Sequence, residues 1–243
     1  MELKILHLYP ELMSLYGEYA NVAVLRRHLE DLGVSVTVTG VTFENEPDFS
    51  GADMIYMGAG TERSQKAVLA DMPRYADGLK AAVEDGALLL FTGNAMEVIG
   101  KSVTDAAGKV HPALGLADFS TVETDRRTPH DVIAVSTLWE ERAVGFMNKC
   151  SRTSGVTSPL FSSLPMGFGN DVEGGGEGYV SGNVFATHIT GPVLVKNPAF
   201  TALLIRRLFA RRGWELPAEL PAYPYEAAAY AVTLKELTAR LGG

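Results

Sequence analysis

The stretch ALLLFTGNAMEVIG, residues 87–100, restricts the possible folds of this chain more than any other segment. Its first five residues are apolar without alternation, which suits a strand covered on both faces rather than one with a wet side. The turn that follows reads Thr92, Gly93, Asn94, Ala95, and a helix is expected to start there. The same rhythm precedes it. LKILHLY is another short apolar strand. Asn21 can cap a helix with Val22, Leu25, Leu29 and Leu32 on its apolar face, and Gly33 can end it. VSVTVT and ADMIYMGAG read as strands, and residues 64–85 as a helix split at Pro73. Such alternation predicts an α/β fold with a mainly parallel sheet, helices on both faces and right-handed crossovers. Ligands in these sheets sit at the carboxyl ends of the strands, where both the GAG and the TGNA turns fall.

The middle of the chain differs. From about residue 110 to 184 the pattern is short strands, DVIAV and AVGFMNKC among them, with no long helix. The run GFGNDVEGGGEGYV does not match a phosphate loop, because no Lys-Ser or Lys-Thr follows in place. It reads as a connecting loop. The strand NVFATH and a helix over 199–212 complete a first unit, residues 1–212. Pro217, Pro221 and Pro224 then lead into an Ala-rich amphipathic helix in an extension over 213–243, which either packs on the core or binds a partner.

A formal net charge of -8 with scattered cations argues against nucleic acid or anionic lipid as the main partner. No apolar run reaches the roughly 20 residues of a membrane span, and MELKILHLYP reads as a first strand rather than a signal peptide. A cytoplasmic location is expected. One cysteine, Cys150, excludes a disulfide framework and a cysteine-based metal cluster.

A strand-turn-helix elbow exposes one side chain beside backbone N–H groups that can hold an oxyanion, and enzymes built this way place Cys or Ser at the tip. Here a glycine stands there, which would relieve the strain of the turn and remove its chemistry. The stretches LYPELMSLYGEYANVAVLRRHLEDLG, YMGAGTERSQ, VGFMNKCS and THITGPVLVKNP, together with the elbow, resemble class I glutamine amidotransferases of the cobyric-acid-synthase type over roughly residues 3–210. Within that family the chain resembles the GatD type, which works with MurT to amidate the D-glutamate of the peptidoglycan precursor lipid II.

The resemblance implies a flavodoxin-like class I amidotransferase fold and a set of site residues. Family members carry a segment similar to Cys-Gly-Gly-Tyr-Gln-x-x-Gly at the elbow. Aligned on Gly100, the family's Gln falls on Glu97 and its Cys on Gly93, and a shift by one would put the Cys on Thr92 or Asn94. His188 matches the general base. Ala59 and Gly60 resemble the loop that supplies an oxyanion-hole amide, and Asn94 and Glu97 border the glutamine pocket. Arg127 resembles a glutamine-binding Arg, although His130 replaces the usual glycine in its motif. The acid that orients the imidazole in many relatives is Thr190 here. Cys150 is expected to fill core space rather than replace the nucleophile, and His7, His28 and His111 match no site. The resemblance implies no metal or organic cofactor in this chain; a MurT-like ligase partner would bind ATP and Mg²⁺, and glutamine or a related amino acid is the implied ligand.

Three roles stay open on the sequence: a GatD-type subunit beside a ligase fed with free ammonia, a pseudo-enzyme that only binds a ligand, or a hydrolase using Thr92, Cys150 or Asn94.

Overall fold

A computed structural model describes residues 1–172 and 175–241. Strand β1 (Glu2–Leu8) leads through a loop to helix α1 (Tyr19–Asp31), then β2 (Ser35–Val41) and β3 (Met54–Met57). Helices α2 (Glu62–Asp71) and α3 (Ala76–Glu84) follow, separated by a tight turn at Met72–Arg74 where Pro73 removes a backbone donor. Strand β4 (Leu88–Thr92) is buried at every residue, as its unbroken apolar run requires. The helix expected after the turn is present as a 3-10 helix, Gly93–Ile99.

The main sheet runs β10-β11-β4-β3-β1-β2, with β10 (Tyr179–Ser181) antiparallel to β11 (Val184–Thr187) and the other neighbours parallel. Alternation along each strand feeds two cores. Leu6, Leu8, Ile55, Met57, Leu89 and Phe91 face α2 and α3. Leu3, Ile5, Met54, Tyr56, Leu88, Leu90 and Phe185 face α1 and helix α5 (Pro198–Arg211), which follows the short α4 (Val193–Lys196). The expected helix-covered parallel sheet is present.

Two local readings are corrected. Asn21 does not cap α1; it lies inside the helix, fully buried, and its side chain donates to Tyr56 and accepts from the Leu194 N–H. The middle is more regular than short strands and loops. Strands β5 (Ser102–Thr104), β6 (Val110–Pro112), β7 (Ser120–Ser136), β8 (Ala143–Ser154) and β9 (Phe161–Met166) form a second sheet, with β7 and β8 antiparallel and slipped between Glu123 and Thr128. The half-polar faces of the long hairpin hide its length from a search for apolar runs. The carboxy-terminal helix α6 (Pro224–Leu241) packs Tyr230, Leu234 and Leu237 on Ile133 and Val144 of that hairpin.

His7, which matched no site in the sequence, is a buried strand residue, and burial lowers its pKa to about 4. The unfolded chain takes up this proton near pH 6.5 and the folded chain only near 4, so stability is complete above 6.5 and falls as pH drops between those values. The loss reaches about 3 kcal/mol. Replacing His7 with Gln is expected to flatten this acid limb, read as a smaller difference between thermal midpoints at pH 7 and pH 5.

Candidate functional site

The turns after β3, β4 and β11 and the facing strands β7 and β8 enclose a cavity of about 230 Å³ at the carboxyl edge of the main sheet. Every site residue expected from the sequence lines it: Ala59, Gly60, Gly93, Asn94, Glu97, Arg127 and His188. Thr190 and Cys150 lie on its wall as well.

The elbow has a definite geometry. Thr92 is extended (φ -121°) and Gly93 turns the chain at φ +62°, a conformation that costs an L side chain roughly 1–2 kcal/mol. The Gly60 N–H, in the turn after β3, donates to Asn94 Oδ1 at 2.9 Å. Gln65 of α2 holds the elbow from the other side, donating to the Asn94 carbonyl at 2.7 Å and to Glu97 Oε2 at 2.6 Å. Helix α2 is itself anchored by Thr61, whose hydroxyl accepts the Ser64 N–H.

His188 sits between two buried carboxylates. Its Nδ1 lies 3.1 Å from Glu177 Oε1, and the same oxygen accepts the His188 backbone N–H at 2.7 Å. Its Nε2 lies 3.5 Å from Glu97 Oε1 and has no hydrogen-bond partner among the described residues. Thr187 Oγ1 donates to the second oxygen of Glu177, and Ser151 Oγ donates to Glu97 at 2.5 Å. Burial alone would raise both carboxyl pKa values, yet both lie below the ordinary range because His188 and these donors hold the charged form.

The glycine-rich run is thus more than a connector, since Glu177 within it reaches the imidazole. Its glycines serve close approach: a Cβ at Gly178, which has φ +74°, would lie 2.5 Å from the Ala186 carbonyl oxygen. Buried Lys149 ties the same segment down through the carbonyls of Gly169 and Asn170.

No hydroxyl or thiol hydrogen-bonds to His188 among the described residues. Thr92 donates to Glu18 and pairs with Tyr56 behind the elbow. Thr190 also donates to Glu18, at 2.7 Å, and does not orient the imidazole. Cys150 does not fill core space. It is half-buried on the cavity wall, with its sulfur 3.2 Å from Glu62 and 3.5 Å from Arg127. Burial and the Glu62 carboxylate push this thiol up to about 11, so little thiolate exists at neutral pH. Arg127 is paired with Glu62 at 2.6 Å on the rim. His28 and His111 lie elsewhere, paired with Glu226 and Asp105.

The model of the CobB/CobQ-like glutamine amidotransferase domain matches residues 4–198. The chain belongs to that family. Among curated relatives of this CobB/CobQ-like amidotransferase, the lipid II isoglutaminyl synthase (glutamine-hydrolyzing) subunit GatD of Streptococcus pneumoniae is 29% identical over 226 residues, covering 91% of this chain and 86% of that protein. The GatD subunit of Staphylococcus aureus is 28% identical over 212 residues, covering 87% and 86%. Solved glutamine amidotransferases share the fold. One has a TM-score of 0.51 at 15% identity, covering 86% of this chain and 98% of its own. Another, from Thermotoga maritima, has 0.53 at 8% identity, covering 99% and 94%. No helix among the described residues of this CobB/CobQ-like amidotransferase is long and apolar enough to cross a membrane.

Sequence reasoning missed four residues around this site. Glu177, Ser151, Gln65 and Glu18 are all buried and all bonded to the elbow, to the imidazole or to the groups that hold them. Only Glu177 carried a signal, as the one charged residue between Gly174 and Gly178.

Proposed function

We propose that this chain is the GatD-like subunit of a two-part amidating enzyme. It docks with a MurT-like ligase that binds ATP and Mg²⁺ and amidates the D-glutamate of lipid II, and it does not release ammonia from glutamine through a thioester. The observation that carries this reading is the elbow: Gly93 stands where a thioester-forming sulfur is needed, and neither Thr92 nor Cys150 is placed to receive help from His188. Removal of a nucleophile leaves binding and oxyanion effects worth roughly 10³-fold over water. The ligase therefore takes free ammonia, and the subunit stabilises or regulates it. A cytoplasmic location goes with a ligase that consumes ATP.

A second reading, a non-catalytic binding module, draws on buried polar atoms at the cavity that lack partners among the described residues: His188 Nε2, Asn94 Nδ2 and Asn148 Oδ1. Glu97 is a poor acceptor for a ligand's amine in that reading, since both its oxygens already receive protein donors.

The test is reconstitution of the purified chain with a MurT-like ligase. ATP-dependent amidation is expected with ammonium chloride and not with glutamine, and glutamate release by the chain should stay at the level of buffer. Glutamate release at the rate of a cysteine-bearing relative would sink the proposal. Failure of the two proteins to associate would leave the binding-module reading in its place.

A further inference from the structure

We infer that two residues besides Gly93 close the elbow to an amide substrate, Ala59 by its methyl group and Asn94 by its carboxamide. The inference rests on the reading that this chain does not hydrolyse glutamine, and it adds that restoring a thiol alone does not reopen the site. An ideal Cβ built on Gly93 would lie 3.0 Å from Ala59 Cα and collide with Ala59 Cβ. Ala59 cannot easily retreat. It is buried, its carbonyl accepts the Leu15 N–H at 2.9 Å, and the next N–H is the one held by Asn94. The space a nucleophile's side chain would need is already filled by carbon.

The second block is polar. The Gly60 N–H is the amide that faces the elbow, and a substrate's carboxamide oxygen would have to accept from it. Asn94 Oδ1 accepts it instead at 2.9 Å, while the Asn94 backbone is fixed by Gln65. Asn94 offers the same functional group as a glutamine side chain, so the protein supplies its own occupant. Among the described residues its Nδ2 has no hydrogen-bond partner, so the carboxamide is held there through its oxygen alone.

The experiment compares four proteins: wild type, Gly93→Cys, Ala59→Gly with Gly93→Cys, and that pair with Asn94→Gly. Each is measured for thermal midpoint, for iodoacetamide labelling mapped by mass spectrometry to position 93 or to Cys150, and for glutamate release. Gly93→Cys is expected to lower the midpoint by roughly 5 °C, from overpacking in a chain of this size, and to label slowly at position 93. Adding Ala59→Gly returns the overpacking part of that loss, leaving the backbone strain at φ +62°, and speeds labelling about tenfold, in proportion to the access regained. Only the triple variant is expected to show labelling that glutamine slows. A single Gly93→Cys variant that keeps the wild-type midpoint and labels as fast as the pair overturns the role of Ala59. Glutamine protection in the pair without the Asn94 change overturns the role of Asn94. Glutamate release by the wild type would instead count against the functional reading, and it is scored separately from these comparisons.

Discussion

Replacing Glu177 with Ala lowers the thermal midpoint by on the order of 10 °C, as expected when a buried carboxylate is removed from its partners at a cost of about 3–5 kcal/mol. Glu177 is fully buried and accepts from Thr187 Oγ1, from the His188 N–H and from His188 Nδ1. Alanine leaves those donors facing a void and deprives the imidazole of one of its two flanking carboxylates. Glu177→Gln is milder, because its carbonyl oxygen still accepts, and it separates lost hydrogen bonds from lost charge. The pH dependence has a definite sign. The folded pKa of Glu177 lies below its unfolded value of 4.5, so its contribution is complete above that value and is lost as pH falls through the folded one. The Gln variant should therefore show a shallower acid limb below about pH 4.5. Thermal melts across pH 3–7 check both points, and an Ala variant melting with the wild type would show that the carboxylate does not hold this loop.

Glu18 behaves in the opposite sense. It is fully buried at the start of α1, and its oxygens take bonds from Thr190, the Gly191 N–H, Thr92, Tyr56 and Asn21. Burial raises its pKa above 4.5 even though these donors pull the other way. A raised carboxyl pKa means that stability is present below the unfolded value and is lost as pH rises through the folded one. Gln cannot ionise, so Glu18→Gln is expected to gain on the wild type as pH is raised from 4.5 to 8, with other titrating groups cancelling in the difference. Glu18→Ala should cost about 3 kcal/mol near pH 4.5, because buried donors lose their acceptor around a cavity, and that cost shrinks as pH rises, since alanine does not ionise either. A difference between wild type and the Gln variant that does not change with pH would rule out the raised pKa.

The sequence made the parallel sheet legible because β3 and β4 are apolar throughout, and it made the elbow legible because a glycine turn follows the most hydrophobic strand. Its reach ended where a residue's role depends on a distant partner. Asn21 looks like a cap because Asn commonly caps; what decides its place is Tyr56, 35 positions away in sequence. Glu177 looked like part of a linker because glycine runs carry no periodicity, and its bridge to Phe161 together with the β10-β11 pairing brings it onto His188. Cys150 was expected in the core because a lone cysteine is usually apolar filling, but its strand faces the cavity, where Glu62 and Arg127 claim the sulfur. Ala59 gave no warning at all. Its effect lies in the one methyl group it places against Gly93.

That contact also bears on history. On the proposed reading, a cysteine at φ +62° would carry backbone strain that glycine avoids, and the Ala59 methyl group and the Asn94 carboxamide occupy the room its side chain would need. On that reading a working thiol at the elbow takes coordinated changes at positions 93, 59 and 94, so the arrangement works as an evolutionary ratchet.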